Sequence, residues 1–220
     1  MNLSMPATER LDLADQALTQ LEELIVTLKL APGTLWSEAD LCERLHIGRT
    51  PVREALQRLQ NEHLVAIIPR HGVRIVATNV EDQLLLLEVR RELERLVATR
   101  AARRGTEAER EQCFKMADTL VAKLEHGVVE FLRYHYQVKR FITEMARNPY
   151  AARAILPFHA ISRRFYYLHH LHTKDMPLAA EHHVRVIRAV AQSDETAAAA
   201  ASDALMDYAV AITRAVIARS

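Results

Sequence analysis

The segment His46–Leu59, HIGRTPVREALQRL, constrains the fold of this chain more than any other stretch. Its apolar residues recur at positions i, i+3, i+4 and i+7, which predicts a helix with one buried face. These residues are Val52, Ala55, Leu56 and Leu59. Thr50 is expected to be the N-cap, and Pro51 fits the first helical position, where a missing N–H loses no hydrogen bond. The arginines of the segment remain on the exposed side.

Another helix is predicted directly before this one. Ser37 and Asp40 form an S-x-x-D capping signal for a helix that ends near Leu45. Only residues 46–49 separate the two helices, and Gly48 is expected to supply the backbone freedom of the turn. The two helices therefore read as a helix-turn-helix.

Two β-rich runs follow, at residues 64–68 and 73–76. The turn chemistry of residues 69–72, Pro-Arg-His-Gly, predicts a hairpin tip between them. An amphipathic helix is also predicted upstream, over residues 11–30. Three helices and a two-stranded wing make a winged helix-turn-helix.

The rest of the chain keeps a helical period and shows no strand pattern. Helices are predicted near residues 79–104, 106–125, 128–147, 149–170, 176–192 and 194–219. The fourth is expected to kink or break at Pro157. The predicted fold class is mainly α, with a winged helix-turn-helix domain and its small β-hairpin at 11–77, and an all-α bundle of about six helices at 78–220. Residues 1–10 are predicted to be a flexible tail.

Positive charge is concentrated in the second helix and the wing. Between residues 49 and 74 there are five arginines and two glutamates, whereas the first 48 residues carry three basic and eight acidic side chains. Phosphate neutralisation is local, so a net charge of only +1 still permits DNA binding. A short helix with arginines near its N-terminus can enter a major groove. Taken alone, the pattern also fits an ordinary amphipathic helix with a solvated basic side.

Composition narrows the setting of the protein. The sequence shows no apolar span of membrane length and no signal peptide, which predicts a cytoplasmic protein with no membrane partner. Cys42 and Cys113 form no C-x-x-C pair, as is typical of reduced thiols.

The stretch PGTLWSEADLCERLHIGRTPVREALQRLQNEHLVAIIPRHGVRIV resembles the DNA-binding domain of the GntR family of bacterial transcription regulators. The resemblance covers roughly residues 21–76 without gaps, and it implies double-stranded DNA as a partner. The residues implied to contact DNA are Arg49, Thr50, Arg53, Gln57, Arg58, Arg70, His71 and Gly72. Alternatives are a salt bridge from Arg58 to Glu54 or Glu62, and plain solvation of Arg70 and Arg74.

Three positions depart from the family pattern. Trp36 stands where the family usually has Leu, Gly48 where it has Ser, and His63 where it has Gly. Gly48 lacks one phosphate-facing hydroxyl, and His63 must close the recognition helix without the freedom of a glycine.

The second half resembles the FCD domain of the FadR-type branch of the same family. The stretches that carry the resemblance are EVRRELERLVATRAARR, with Arg90 and Glu94, HYQVKRFITEMARNP and HHVRVIRAVAQSD. The resemblance implies an effector-binding domain.

Many FCD domains hold a divalent metal with one Asp and three His. Those positions fall here on His135, Lys139, His183 and Leu205. A protonated lysine cannot ligate and repels a cation. The usual site is therefore expected to be lost, with no cofactor required and His135 and His183 as the only metal candidates.

We expect Arg90, His135, Lys139 and His183 to line one cavity and to bind a small carboxylate-type metabolite, with Lys139 in place of the metal's charge. The alternative pairs Lys139 with a nearby acid such as Glu144, or leaves it solvated.

The sequence thus predicts a ligand-responsive transcription regulator, a repressor that binds a near-palindromic operator as a homodimer. The alternative is a His-rich α-helical metal-dependent enzyme. That class needs a ligand set and a base, and the chain has no HExxH, no paired Glu-x-x-His and no nucleophile motif. The sequence therefore predicts no enzyme activity.

Overall fold

A computed structural model describes residues 7–170 and 176–217. They divide into two compact units, which meet in sequence at Thr78 and Asn79 and are called here the winged unit and the helical unit. The predicted division lay one residue earlier. Of the tail predicted at residues 1–10, residues 1–6 lie outside the described part. Residues 7–10 are helical, so the tail prediction is wrong for them.

The winged unit contains three helices and three strands in its described part. They are α1 (Ala7–Val26), β1 (Leu35–Trp36), α2 (Glu38–Leu45), α3 (Arg49–Asn61), β2 (Val65–Ile68) and β3 (Gly72–Ile75). Helix α1 ends four residues before the predicted end at residue 30. Just beyond it, Leu28 takes a left-handed backbone (φ 59°), which a continuing helix cannot accommodate. Leucines on α1 and α3, including Leu21, Leu56 and Leu59, are buried in the core of this unit.

The start of α3 differs from the prediction. The carbonyl of Gly48 accepts the first helical bond, from the N–H of Val52 at 3.3 Å, so Gly48 is the N-cap and Arg49 the first helical residue. The prediction of Thr50 as N-cap is wrong. Pro51 is the third helical residue rather than the first, which costs nothing because none of the first-turn N–H groups has an intrahelical partner.

The sharp bend in the turn before α3 lies at a different residue from the predicted Gly48. Gly48 has an ordinary extended backbone (φ −64°, ψ 162°), whereas His46 takes the left-handed conformation (φ 54°) and closes α2. The capping box of Ser37 and Asp40 at the start of α2 is confirmed.

The wing is the hairpin β2–β3, and the short strand β1 adds to its other side in the order β1-β3-β2. The pairing of Trp36 with Val73 was not predicted, because two residues are too few to show a period. Gly72 has φ 111°, and a Cβ there would lie 2.4 Å from the Trp36 carbonyl oxygen. A glycine is therefore required where the wing approaches β1.

The helical unit contains six α-helices in its described part, each within a few residues of its prediction. They are α4 (Val80–Arg104), α5 (Glu107–Ala122), α6 (Val128–Met145), α7 (Pro149–His170), α8 (Met176–Ala191) and α9 (Glu195–Ile217). A short 3-10 helix, Lys123–His126, follows α5. Helix α4 packs against α6, α7, α8 and α9, and this arrangement surrounds a cavity with helices.

The start of α4 and the proline within α7 were both addressed by the sequence. Asn79 caps α4, since its side chain accepts the Asp82 N–H at 2.7 Å. Helix α7 continues through Pro157, so the helix is not broken there, and the kink given as the other possibility stays a prediction. The packing of α7 against α4 and α6 holds the helix together across the missing N–H. None of the helices in the described ranges is long and apolar enough to cross a membrane.

Candidate functional sites

The first candidate site is the exposed side of α3 together with the tip of the wing. The apolar residues of α3 are buried as predicted, which turns its polar side chains outward. The predicted contact residues that are exposed are Arg49, Thr50, Arg53, Gln57, Arg70 and His71. Arg58 and Gly72 are half-buried.

Two arginines of α3 are held by acids from other helices. Nε of Arg53 donates to Oε2 of Glu38 at 2.7 Å, and Nη1 of Arg58 donates to Oδ1 of Asp15 at 2.5 Å. The structure records neither of the predicted alternatives for Arg58, since its partner lies on α1 rather than one turn away on α3. Sequence spacing could not show either pair, because the partners are 15 and 43 residues apart.

The wing tip is shaped by its backbone. Arg70 takes a left-handed conformation (φ 66°) next to Gly72, and Nδ1 of His71 lies 2.9 Å from the Pro69 carbonyl oxygen. Arg74 projects from β3 and is exposed. The tip therefore presents Arg70 and His71 on a tight, defined turn.

The C-terminal end of α3 carries an acid with an altered pKa. His63 has φ 58°, as expected for a residue that closes the helix in place of a glycine. Next to it, burial first and the neighbouring Glu22 second raise the pKa of Glu62 to about 7, while Arg58 opposes the shift. Glu62 is thus a candidate for titration near neutral pH.

The second candidate site is a cavity in the helical unit, and its empty space of about 670 Å³ includes a part that is open to solvent. All four predicted effector residues line it: Arg90 from α4, His135 and Lys139 from α6, and His183 from α8. Sequence reasoning missed several further lining side chains. They include the polar His159, Ser162 and Arg163, and the apolar Phe131, Leu132, Met206, Ala209 and Ile212.

A buried carboxylate organises the cationic side of this cavity. Oε1 of Glu94 accepts from Nη2 of Arg90 at 2.6 Å and lies 2.9 Å from Nε2 of His159. Oε2 of Glu94 accepts from Nζ of Lys139 at 2.8 Å. Burial alone would raise the pKa of Glu94, but Lys139, His159 and Arg90 outweigh it and hold that pKa well below its ordinary value. Glu94 is an anion in this network.

One alternative for Lys139 is confirmed in part, since the lysine is paired with an acid, although not with the one named. Its side chain is only 8% exposed, so it is not solvated, and its partner is Glu94 rather than Glu144. Glu144 is exposed and lies 3.9 Å from Arg140. Burial lowers the pKa of Lys139, and the ion pair with Glu94 opposes that change.

Three histidines complete the polar part of the cavity. The rings of His135 and His183 lie 3.8 Å apart between centroids, and both residues are half-buried. Burial first lowers the pKa of each of them well below the usual value, and it lowers the pKa of His159 to about 4. All three imidazoles are therefore neutral at pH 7.

Four buried nitrogen atoms in the cavity have no hydrogen-bond partner among the residues that the structure describes. They are Nε of Arg90, Nε2 of His135, Nδ1 of His159 and Nδ1 of His183. Buried polar nitrogens are rarely left unpaired in folded proteins, because the loss of hydration is not compensated. Their convergence indicates a place for a polar group of a ligand.

The same residues do not fit the usual FCD metal. The positions of the ligands hold His135, Lys139, His183 and Leu205, and the Lys139 ammonium is engaged with Glu94. Within the described ranges, no three His, Cys, Asp or Glu side chains are grouped as a metal site. The sequence has three further histidines at positions 169, 170 and 172, and this tract extends into residues outside those ranges.

Comparisons with known proteins agree with both halves. Residues 13–75 match the gntR family of bacterial regulatory proteins, and residues 85–208 match the FCD domain. An HTH-type transcriptional regulator in an unstable DNA locus of Streptomyces ambofaciens is 39% identical over 72 residues, 31% of this chain and 30% of that relative. The HTH-type transcriptional repressor RspR of Escherichia coli K12 is 26% identical over 174 residues, 77% of this chain and 75% of the relative.

A solved structure shares the architecture. Escherichia coli McbR/YncC superposes with a TM-score of 0.81 and 19% identity, over 93% of this chain and 98% of that one. At this identity the likeness supports the fold alone, and the predicted fold class is confirmed.

Proposed function

This chain belongs to the gntR family of bacterial regulatory proteins that carry an FCD domain, and from that premise we propose that it is a ligand-responsive repressor. The family and the relatives are DNA-binding transcription regulators and not enzymes. The finer proposal is that it acts in the bacterial cytoplasm, binds a near-palindromic operator as a homodimer, and responds to a small carboxylate.

On the DNA side, Arg49, Thr50, Arg53 and Gln57 meet the major groove, and the wing tip enters the adjacent minor groove. Exposure supports this assignment for all four residues of α3. Arg58 contributes less to DNA binding in this proposal, because Asp15 already holds one of its terminal nitrogens.

On the ligand side, the carrying observation is the convergence of unpaired buried nitrogens in a cavity with excess positive charge. Arg90 and Lys139 share one carboxylate, Glu94, while the three imidazoles are neutral. A small carboxylate would supply acceptors for Nε of Arg90 and for N–H groups at Nε2 of His135 and Nδ1 of His183, and would balance the remaining charge. Nδ1 of the neutral His159 is itself an acceptor, because the proton of that ring lies on Nε2, towards Glu94. In this proposal Lys139 takes the place of the metal's charge.

The homodimer is supported by an apolar pair on the outside of the helical unit. Leu85 and Val89 lie one turn apart on α4 and are both exposed. Contiguous exposed apolar side chains often mark an interface between subunits. A repressor role is supported by the relative RspR, which is named a transcriptional repressor.

The experiment measures DNA and ligand binding with the full chain. A duplex selected by the protein from a random pool is titrated at several salt concentrations, with and without a panel of small mono- and dicarboxylates. We expect specific binding that weakens with salt, and a carboxylate that changes it. A duplex affinity that no member of the panel alters would contradict the effector proposal, and failure to select any sequence would contradict specific DNA binding.

Calorimetry with the active carboxylate then tests the cavity. Lys139→Met should lose most of the binding, whereas Arg140→Ala, an exposed neighbour on α6, should retain it. Equal binding by wild type and Lys139→Met would place the ligand elsewhere. Thermal melting checks that each variant is folded.

A further inference from the structure

An acid stands within the surface proposed to meet DNA. Glu38 is the first residue of α2, and its side chain, 32% exposed, contacts Arg53 on α3. Simple electrostatics would exclude a carboxylate from a surface that approaches phosphates. Its presence calls for a compensating role.

The contact uses one particular edge of the guanidinium. Oε2 of Glu38 accepts from Nε of Arg53 at 2.7 Å, and the structure records no other hydrogen bond or ion pair for that arginine among the described residues. The two terminal Nη groups are left as a fork, which is the part of an arginine that binds O6 and N7 of guanine together. We propose that Glu38 is a positioning residue that holds Arg53 with this fork directed at a guanine of the operator.

The backbone position of Glu38 is fixed by the start of α2. Glu38 directly follows Ser37, whose capping box with Asp40 defines the start of α2. An arginine side chain that is 63% exposed has many rotamers, and ordering it on binding would weaken the complex. A carboxylate that restrains Arg53 beforehand reduces that loss.

The second ion pair on α3 offers a matched comparison. Asp15 contacts Arg58 through a terminal nitrogen, Nη1, so this fork is partly occupied. Glu38→Ala and Asp15→Ala are both single substitutions in the winged unit, and each removes one negative charge. Only the loss of Glu38 should affect base recognition.

Two roles for Glu38 predict effects of opposite sign. If it is only a negative charge near phosphates, its removal strengthens binding to every duplex. If it positions Arg53, its removal weakens binding to the operator and reduces discrimination against base-substituted duplexes. The inference rests on the proposed contact of Arg53 with DNA, which Arg53→Ala tests separately.

The experiment uses the full chain, the selected duplex and its single-base variants at one salt concentration. Arg53→Ala should weaken operator binding by about 10- to 100-fold and abolish discrimination at one base pair. Glu38→Ala should weaken it by about 5- to 10-fold and reduce discrimination at the same base pair. Asp15→Ala should leave that discrimination intact.

Two further variants separate geometry from charge. Glu38→Gln should retain most of the affinity, because its amide oxygen can still accept from Nε of Arg53. Glu38→Asp keeps the charge but shortens the reach, and should behave like Glu38→Ala. In the Arg53→Ala background, Glu38→Ala should add no further loss.

The outcomes are distinguishable. Unchanged or tighter operator binding by Glu38→Ala and Glu38→Asp, with Arg53→Ala still defective, overturns the positioning role and leaves the DNA contact in place. An Arg53→Ala protein that binds like wild type overturns both. If Glu38→Ala melts early, Glu38→Asp and Glu38→Gln decide, since they retain a polar side chain at the start of α2.

Discussion

The winged unit and the helical unit place their positive charge in opposite environments. Arg53, in the winged unit, is 63% exposed and meets an acid that is also partly in water. Lys139, in the helical unit, is 8% exposed and meets a carboxylate that is 5% exposed. The first pair leaves the terminal nitrogens of Arg53 in water and open to DNA, whereas the second must be satisfied within the protein.

This difference assigns a different physical task to each unit. Exposed ion pairs contribute little to folding, so their residues are available for binding a large polyanion. A buried ion pair keeps its charges only while every partner remains, because removal of one partner strands the other in a medium of low dielectric. The helical unit therefore couples its stability to its cavity, while the winged unit does not couple its stability to its DNA surface.

The largest expected effect tests this coupling. Glu94→Ala removes the common partner of Arg90, Lys139 and His159, and should lower the free energy of unfolding of the helical unit by about 3–5 kcal/mol. The loss is measured by urea denaturation of the full chain, followed by circular dichroism.

Glu38→Ala and Glu144→Ala serve as controls, since both remove an exposed acid from an ion pair. Each should cost less than about 1 kcal/mol. If Glu94→Ala were as mild as these two, the contrast between a buried and an exposed charge network would be lost.

The next effect concerns acid pH and the buried imidazoles. The pKa of His159 is about 4 in the folded protein and 6.5 as its ordinary value, because burial disfavours the cation. The unfolded chain therefore takes up the proton first, and stability falls as pH decreases from 6.5 to 4. The loss from His159 reaches about 3 kcal/mol below that range, and His135 and His183 act in the same direction.

His159→Gln should flatten part of this profile, because its amide can still donate to Glu94 but does not titrate. The comparison is the change in unfolding free energy between pH 7 and pH 4.5. His71→Gln, on the exposed wing tip, should change the profile little. Glu94 adds its own loss only at lower pH, as its depressed pKa is approached. Superimposable profiles for wild type and His159→Gln would refute the assignment.

The sequence predicted local features well and long-range pairs poorly. Helical periods located all six helices of the helical unit, and the spacing of His135 and Lys139 placed both on one face of α6. The partner of Lys139 was missed because Glu94 lies 45 residues away, on α4. A position inherited from family resemblance pointed to Glu94 but did not show what it contacts.

Errors in the winged unit have a similar origin. Gly48 and Thr50 are only two residues apart, and capping preferences cannot separate such close candidates in one loop. Strand β1 is defined by its pairing with β3, and a stretch of two residues is too short for its sequence to predict a strand. Contacts set by tertiary packing thus account for what the sequence left out.

The smallest predicted effect gives the winged unit a pH dependence of opposite sign. The pKa of Glu62 is raised from 4.5 to about 7, so the unfolded chain releases its proton first and stability falls as pH increases from 4.5 to 7. Glu62→Gln should remove this loss and stabilise the winged unit at pH 8, by less than about 1 kcal/mol because water screens a partly exposed group. The chain has one tryptophan, Trp36 in β1, so its fluorescence reports unfolding of this unit. Glu54→Gln, exposed on the same helix, is the control, and a Glu62→Gln protein no more stable than it at pH 8 would remove the opposition between the two units.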